Sequence, residues 1–149
     1  MREIKFRGKK LDTDEWIYGD LAHDWNKDTH IIEFDCFGPD ITACGDCGCN
    51  EANSFEVDPE TVGQFTGLHD KNGKEIYEGD ICRDSKDKII QIVWSDHHQW
   101  GCKIIKGGVL SQGLEFPIWQ WDKCKENEYR ELEVIGNIYE NPDLIGTHL

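Results

Sequence analysis

Nowhere along this chain do apolar residues recur at helical spacing for three full turns. They come in runs of strand length, divided by residues that favour turns. That pattern restricts the chain to a mainly β fold with only short helical turns. Residues 88–94, Lys-Ile-Ile-Gln-Ile-Val-Trp, are the clearest strand. Their β-branched side chains pack well on a pleated surface and lose rotamer freedom in a helix. Ile4 and Phe6 alternate with charged residues, and residues 16–21 read as the return strand of a hairpin turning through 8–15. Further strands are expected at 30–34, 64–68, 75–77, 81–83, 102–106, 114–121 and 132–139. Pro117 confines its strand to an edge or a bulge, because it cannot donate to a ladder.

The turns are as informative as the strands. Asn72-Gly73 predicts a hairpin with positive φ at both residues. Residues 95–101 read as a loop, and Gly107-Gly108 as another turn. Asp58-Pro59-Glu60-Thr61 reads as one helical turn, with Asp58 capping and Pro59 in first position. Asn141-Pro142-Asp143-Leu144 suits a second such turn, and residues 123–132 are the best helix alternative. A faint repeat relates Trp16-Ile17-Tyr18-Gly19-Asp20-Leu21 to Ile76-Tyr77-Glu78-Gly79-Asp80-Ile81. Two related β units or convergent turn chemistry would account for it equally.

A length of 149 residues predicts one compact domain or two very small ones. The division expected is 1–62 and 63–149. Charge separates the same regions: residues 11–63 carry −13 of the total −14, whereas 64–106 are neutral. Such acidity opposes direct nucleic-acid binding and docking on anionic lipid, both of which need Lys and Arg. It suits a solvated surface, a face for a basic partner, or a mimic of a phosphate backbone. No apolar run approaches the ~20 residues of a membrane helix. The basic N-terminus lacks the apolar stretch of a signal peptide. Seven cysteines, an odd number, fit reduced thiols in a cytoplasm better than a disulfide framework.

Residues 36–53 hold four of those cysteines, three glycines and little that is apolar, so they read as a long loop. Cys36, Cys44, Cys47 and Cys49 could supply four thiolates to one structural zinc ion, with Cys44-x2-Cys47 as the chelating half. His23 or His30 could replace one sulfur. A polar loop in which thiols happen to cluster, or redox chemistry, would use the same residues.

Three segments carry a family resemblance. They are Met1-Arg2-Glu3-Ile4-Lys5-Phe6-Arg7-Gly8-Lys9, the stretch 61–81 around Gln64-Phe65-Thr66-Gly67-Leu68-His69-Asp70-Lys71-Asn72-Gly73-Lys74-Glu75-Ile76-Tyr77-Glu78-Gly79-Asp80-Ile81, and Val134-Ile135-Gly136-Asn137-Ile138-Tyr139-Glu140-Asn141-Pro142 with the residues up to Ile145. Together they resemble the YopX family. The resemblance implies a small barrel-like, SH3-like C-terminal part beside an N-terminal β subdomain. It also implies a phage or prophage origin and a bacterial cytoplasm. It brings no catalytic or binding residues, and residues 36–53 match no family pattern.

Two other groups bear on function. Asp96, His97 and His98, with Cys102 and Asp122, combine metal-ligating types, yet adjacent histidines in extended chain point opposite ways, and exposed loop residues are expected. Trp94, Trp100, Trp119 and Trp121 read as core, with Trp119 and Trp121 sharing a strand face; an aromatic groove for a Pro-rich peptide is the sharper alternative. Ser54, Ser85, Ser95 and Ser111 lie in no nucleophile elbow, and there is no phosphate loop. The expected function is a non-enzymatic protein-binding or self-assembling module, as a homo-oligomer. A nucleic-acid mimic and a small enzyme are the rivals.

Overall fold

The computed structural model describes residues 3–34, 52–121 and 132–146. They are mainly β, in antiparallel sheets, with short helical turns. Two compact units divide the chain between Gln64 and Phe65. No helix among the described residues is long and apolar enough to cross a membrane.

The first unit contains β1 (Phe6–Lys9), β2 (Trp16–His23), β3 (Thr29–Phe34) and β4 (Ala52–Glu56), side by side in the order β4-β3-β2-β1. Gly63 and Gln64, which open β5 (Gly63–His69), pair with Arg7 and Phe6. Ala52 and Asn53 belong to β4, so the expected loop ends earlier than residue 53. Ile31 and Val57 are fully buried. Gly19 lies against the carbonyl of Ile32, leaving no space for a Cβ. Asp58 caps the 3-10 turn Pro59–Thr61 by accepting from the Glu60 N–H at 3.0 Å, as its sequence predicts.

The second unit holds most of the core. The remainder of β5 pairs with β6 (Glu75–Tyr77). A five-stranded sheet follows, built from β7 (Asp80–Arg83), β8 (Ile89–Ser95), β9 (Gln99–Lys106), β10 (Glu115–Pro117) and β11 (Glu133–Asn137). Their order is β10-β9-β8-β7-β11, and the sheet does not close into a barrel. Alternate residues of β8 and β9 (Ile90, Ile92, Trp100, Cys102 and Ile104) point to one face and pack with Ile76, Cys82, Ile118, Trp121 and Leu132. Each fully buried Ile contributes roughly 1.5–3 kcal/mol. The terminal turn is α1 (Pro142–Ile145).

Three hairpins use one device. Asp70 Oδ1 accepts from the N–H groups of Asn72 and Lys74 at 2.8 and 2.9 Å. Asp84 Oδ1 accepts from Lys86 and Lys88, both at 2.9 Å. Asp24 Oδ1 accepts from Asn26 and Asp28 at 2.8 and 2.9 Å. In each case the residue three positions on has positive φ: Gly73 at 81°, Asp87 at 60° and Lys27 at 69°. The Asn72-Gly73 hairpin is therefore real, but only Gly73 of the pair takes positive φ. The Asp70 carboxylate makes a three-residue loop with a left-handed third residue more favourable than a two-residue turn.

Ser95 plays the same part in the β8–β9 hairpin: its Oγ accepts from the His97 N–H at 3.3 Å, and His98 has φ of 60°. The register continues to Ser95 opposite Gln99, so the loop is 96–98 rather than 95–101. Residues 114–121 also differ from expectation. Only Glu115–Pro117 are strand, on the sheet edge as Pro117 requires, and Ile118–Trp121 form a 3-10 turn. Trp119 and Trp121 consequently share no strand face. Trp121 is buried, whereas Trp119 is 62% exposed. The faint repeat has no structural counterpart: Gly19 sits mid-strand in β2, whereas Gly79, with φ of 88°, turns the chain between β6 and β7.

Candidate functional site

Cys36, Cys44, Cys47 and Cys49, the expected zinc ligands, lie outside the described residues, as does Asp122. Among the described residues no three His, Cys, Asp or Glu side chains converge as a metal site would require. Cys102 is fully buried in the core, whereas Asp96, His97 and His98 are exposed at the hairpin tip. Burial, with Asp84 adding to it, pushes the Cys102 thiol well up. Burial does the same to Cys82, with Asp80 next in effect. Both thiols are enclosed in the core, an environment in which cysteines are inert.

The first unit presents a chain of polar groups that sequence spacing could not reveal. Asp24 Oδ2 lies 3.4 Å from His30 Nε2, and His30 Nδ1 lies 3.3 Å from Ser54 Oγ. Desolvation opposes ionisation of Asp24, but the backbone N–H groups of Asp28 and Asn26, then His30, hold its carboxyl below the usual range. The connectivity matches a nucleophile, a base and an orienting acid. Its distances are long, and it is solvent-exposed rather than enclosed in a water-excluding cleft. The arrangement fastens β4 and the β2–β3 turn to His30.

A concave site does occur in the second unit. The β8–β9 hairpin tip and edge strand β10 enclose a cleft of about 280 Å³ lined by Ser95, His97, Gln99, Gly101, Glu115, Phe116 and Pro117. Pairing explains how these come together. Pro117 lies opposite Gly101, and Ser95 lies opposite Gln99. Pro117 supplies apolar wall and Phe116 borders the cleft with its backbone carbonyl, its ring packing on the core side against Trp121, while Ser95, His97, Gln99 and Glu115 supply polar groups. The volume falls short of the roughly 300–1,000 Å³ of drug-sized sites, so it suits one or two side chains.

Ser95 Oγ lies 3.3 Å from His97 Nδ1. The same Oγ accepts the His97 N–H, and both contacts belong to the turn. Of the cleft residues the sequence marks His97 as a metal-ligating type and Pro117 as a strand-edge residue, and it marks Ser95, Gln99, Gly101, Glu115 and Phe116 as no site. The available signal was a glycine within a strand, which marks open space beside the backbone.

Of the four tryptophans, Trp100 and Trp121 are core, as expected. Trp94 stacks edge-on against Trp100 with ring centroids 4.9 Å apart. Trp94 remains 47% exposed, and neither it nor Trp119 lines the cleft.

The crystal structure of protein EF1440 from Enterococcus faecalis shares the fold with a TM-score of 0.52. It is 21% identical, and the match covers 97% of this chain and 99% of that one. No curated protein matches significantly. The family model described as YopX protein matches residues 5–146, nearly the whole sequence. The chain belongs to the YopX family.

Proposed function

We propose that this protein is a non-enzymatic protein-binding module of phage or prophage origin, working in a bacterial cytoplasm and docking an extended partner segment at the cleft beside β10. The observation carrying this reading is the cleft itself: Pro117 and the open surface of Gly101 with a hydrogen-bonding rim, set on a strand edge. Sheet edges favour backbone pairing with another chain, and alternating pockets then give specificity. The partner can equally be a second copy of this chain, which sedimentation equilibrium would register as a homo-oligomer.

Gly101 provides the test. A Cβ there would meet Phe116 O, Ser95 Cβ and Val93 Cγ2, each at 3.5 Å, which is ordinary contact. Gly101→Leu should thus fold and fill the cleft. Immobilised wild type and variant are exposed to the same bacterial lysate. Proteins retained by wild type and lost from the variant support the reading; identical retention contradicts it.

A second reading has its own observation. Asp12, Asp14, Glu15, Asp20, Asp24 and Asp28 are all exposed on β2 and the turns flanking it. That acidic surface suits a nucleic-acid mimic occupying a basic protein. Capture that survives Gly101→Leu but disappears at high salt would favour it.

A further inference from the structure

Backbone register and charge together define what the cleft selects. Ile104 N–H donates to Leu114 C=O at 3.0 Å, which marks 104 and 114 as a hydrogen-bonding position, although the Ile104 C=O accepts from the Gly113 N–H at 2.7 Å instead of completing the exchange. Such pairs alternate along an antiparallel ladder, so 102 and 116 form the next one. Glu115 opposite Lys103, and Pro117 opposite Gly101, then fall at the intervening positions. There the backbone groups point away from β9, toward the sheet edge. Glu115 offers an N–H and a C=O to that edge; Pro117 offers only a C=O. One residue of an incoming strand can exchange both hydrogen bonds with Glu115, and Pro117 prevents the pairing from extending. The edge thus accepts a short extended segment and resists sheet growth.

Such a segment would place a side chain beside the cleft, where Glu115 is the one carboxylate and no Lys or Arg lines the wall. Lys103 lies opposite Glu115 in the register but outside the lining. Residues 107–149, the stretch that contains β10, carry three Lys and Arg against eight Asp and Glu, which favours the approach of a cationic segment. We infer that the cleft binds an extended peptide segment bearing a lysine or arginine, whose backbone pairs with Glu115 and whose cationic end meets the Glu115 carboxylate. The inference rests on the docking reading above.

The probes are three blocked heptapeptides, Ser-Ala-Thr-X-Thr-Ala-Ser, with X as arginine, glutamine or glutamate. They are titrated into 15N-labelled full-length protein at low salt, following the amide signals of Ser95, His97, Gln99, Gly101 and Glu115. The arginine peptide should bind at least tenfold more tightly than the glutamine peptide. Glu115→Gln, an isosteric change at an exposed residue, should abolish that difference. Equal shifts from the arginine and glutamine peptides would overturn the inference and leave docking intact. Tighter binding of the glutamate peptide would also overturn it. If no peptide moves the cleft amides, both the inference and the docking reading fail.

Discussion

The carboxylate of Asp84 closes one hairpin and fastens a distant segment: its Oδ2 accepts from Trp121 Nε1 at 3.2 Å while its Oδ1 caps the β7–β8 turn. Asp70 does the same, with Oδ2 accepting from the Val134 N–H at 2.9 Å. Both aspartates are buried, at 8% and 4% exposure. A turn residue whose second oxygen reaches 37 or 64 positions along the chain links local and long-range order. Asp84→Ala should therefore cost about 2–4 kcal/mol, since it leaves three donors without their acceptor, one of them buried. Urea denaturation measures it. A loss below about 0.5 kcal/mol, typical of an ordinary surface substitution, would contradict the account.

The two buried tryptophans should respond differently to loss of their indole N–H. Trp121 Nε1 has Asp84 as partner, whereas Trp100 Nε1 is buried with no hydrogen-bond partner among the described residues. Trp121→Phe removes a charge-assisted bond and strands the Asp84 oxygen. Trp100→Phe instead removes an unsatisfied donor along with some apolar area. Trp121→Phe should be the more destabilising by about 1–2 kcal/mol in paired thermal melts. The reverse order would show that packing volume outweighs the hydrogen bond.

Acid should act through two carboxylates at the surface, Asp24 and the part-exposed Glu133. Hydrogen bonds from Arg83 and then Lys71, at 3.1 and 3.2 Å, hold Glu133 below its usual range. Asp24 is held down by its turn, as described. A carboxyl with a depressed folded-state pKa stabilises the fold above its unfolded value, about 4, and loses that contribution as pH falls through its folded value. Glu133→Gln should accordingly be less stable than wild type at neutral pH, with the gap closing below about pH 4. The gap should be small, because the Glu133 side chain is part-exposed and its Lys71 and Arg83 partners are exposed, so solvent screens the pair. Chemical denaturation at several pH values checks this, and a gap that widens in acid would reverse the sign.

Cys82 and Cys102 should resist alkylation in the folded protein. Both are fully buried, and burial raises both thiols. Iodoacetamide treatment near pH 7.5, read by peptide mass spectrometry, should leave them unmodified until denaturant is added. Rapid labelling under native conditions would mean that the core face of the five-stranded sheet opens readily.

Strands were legible where side chains alone decide them. The β-branched run of β8 and the Asp58 cap with Pro59 emerged as read, because each depends on local sterics and local hydrogen bonds. Residues 114–121 misled because alternating aromatics resemble a strand, yet Trp121 turns inward to reach Asp84, a partner that no local window contains. Asn72-Gly73 misled more mildly, since an aspartate two positions earlier chose the turn type. The cleft was the least legible feature. Gly101 and Pro117 are 16 residues apart and meet only through the β9–β10 register.

Partner docking at the β10 cleft is tested most directly by mapping the footprint of a captured partner on isotope-labelled protein. Docking predicts that amide signals move at Ser95, His97, Gln99, Gly101 and Glu115, and that Gly101→Leu weakens binding at least tenfold with its melting temperature preserved. Signals that move instead at Asp20, Asp24 and Asp28, with the cleft silent and the Gly101→Leu affinity unchanged, would contradict it.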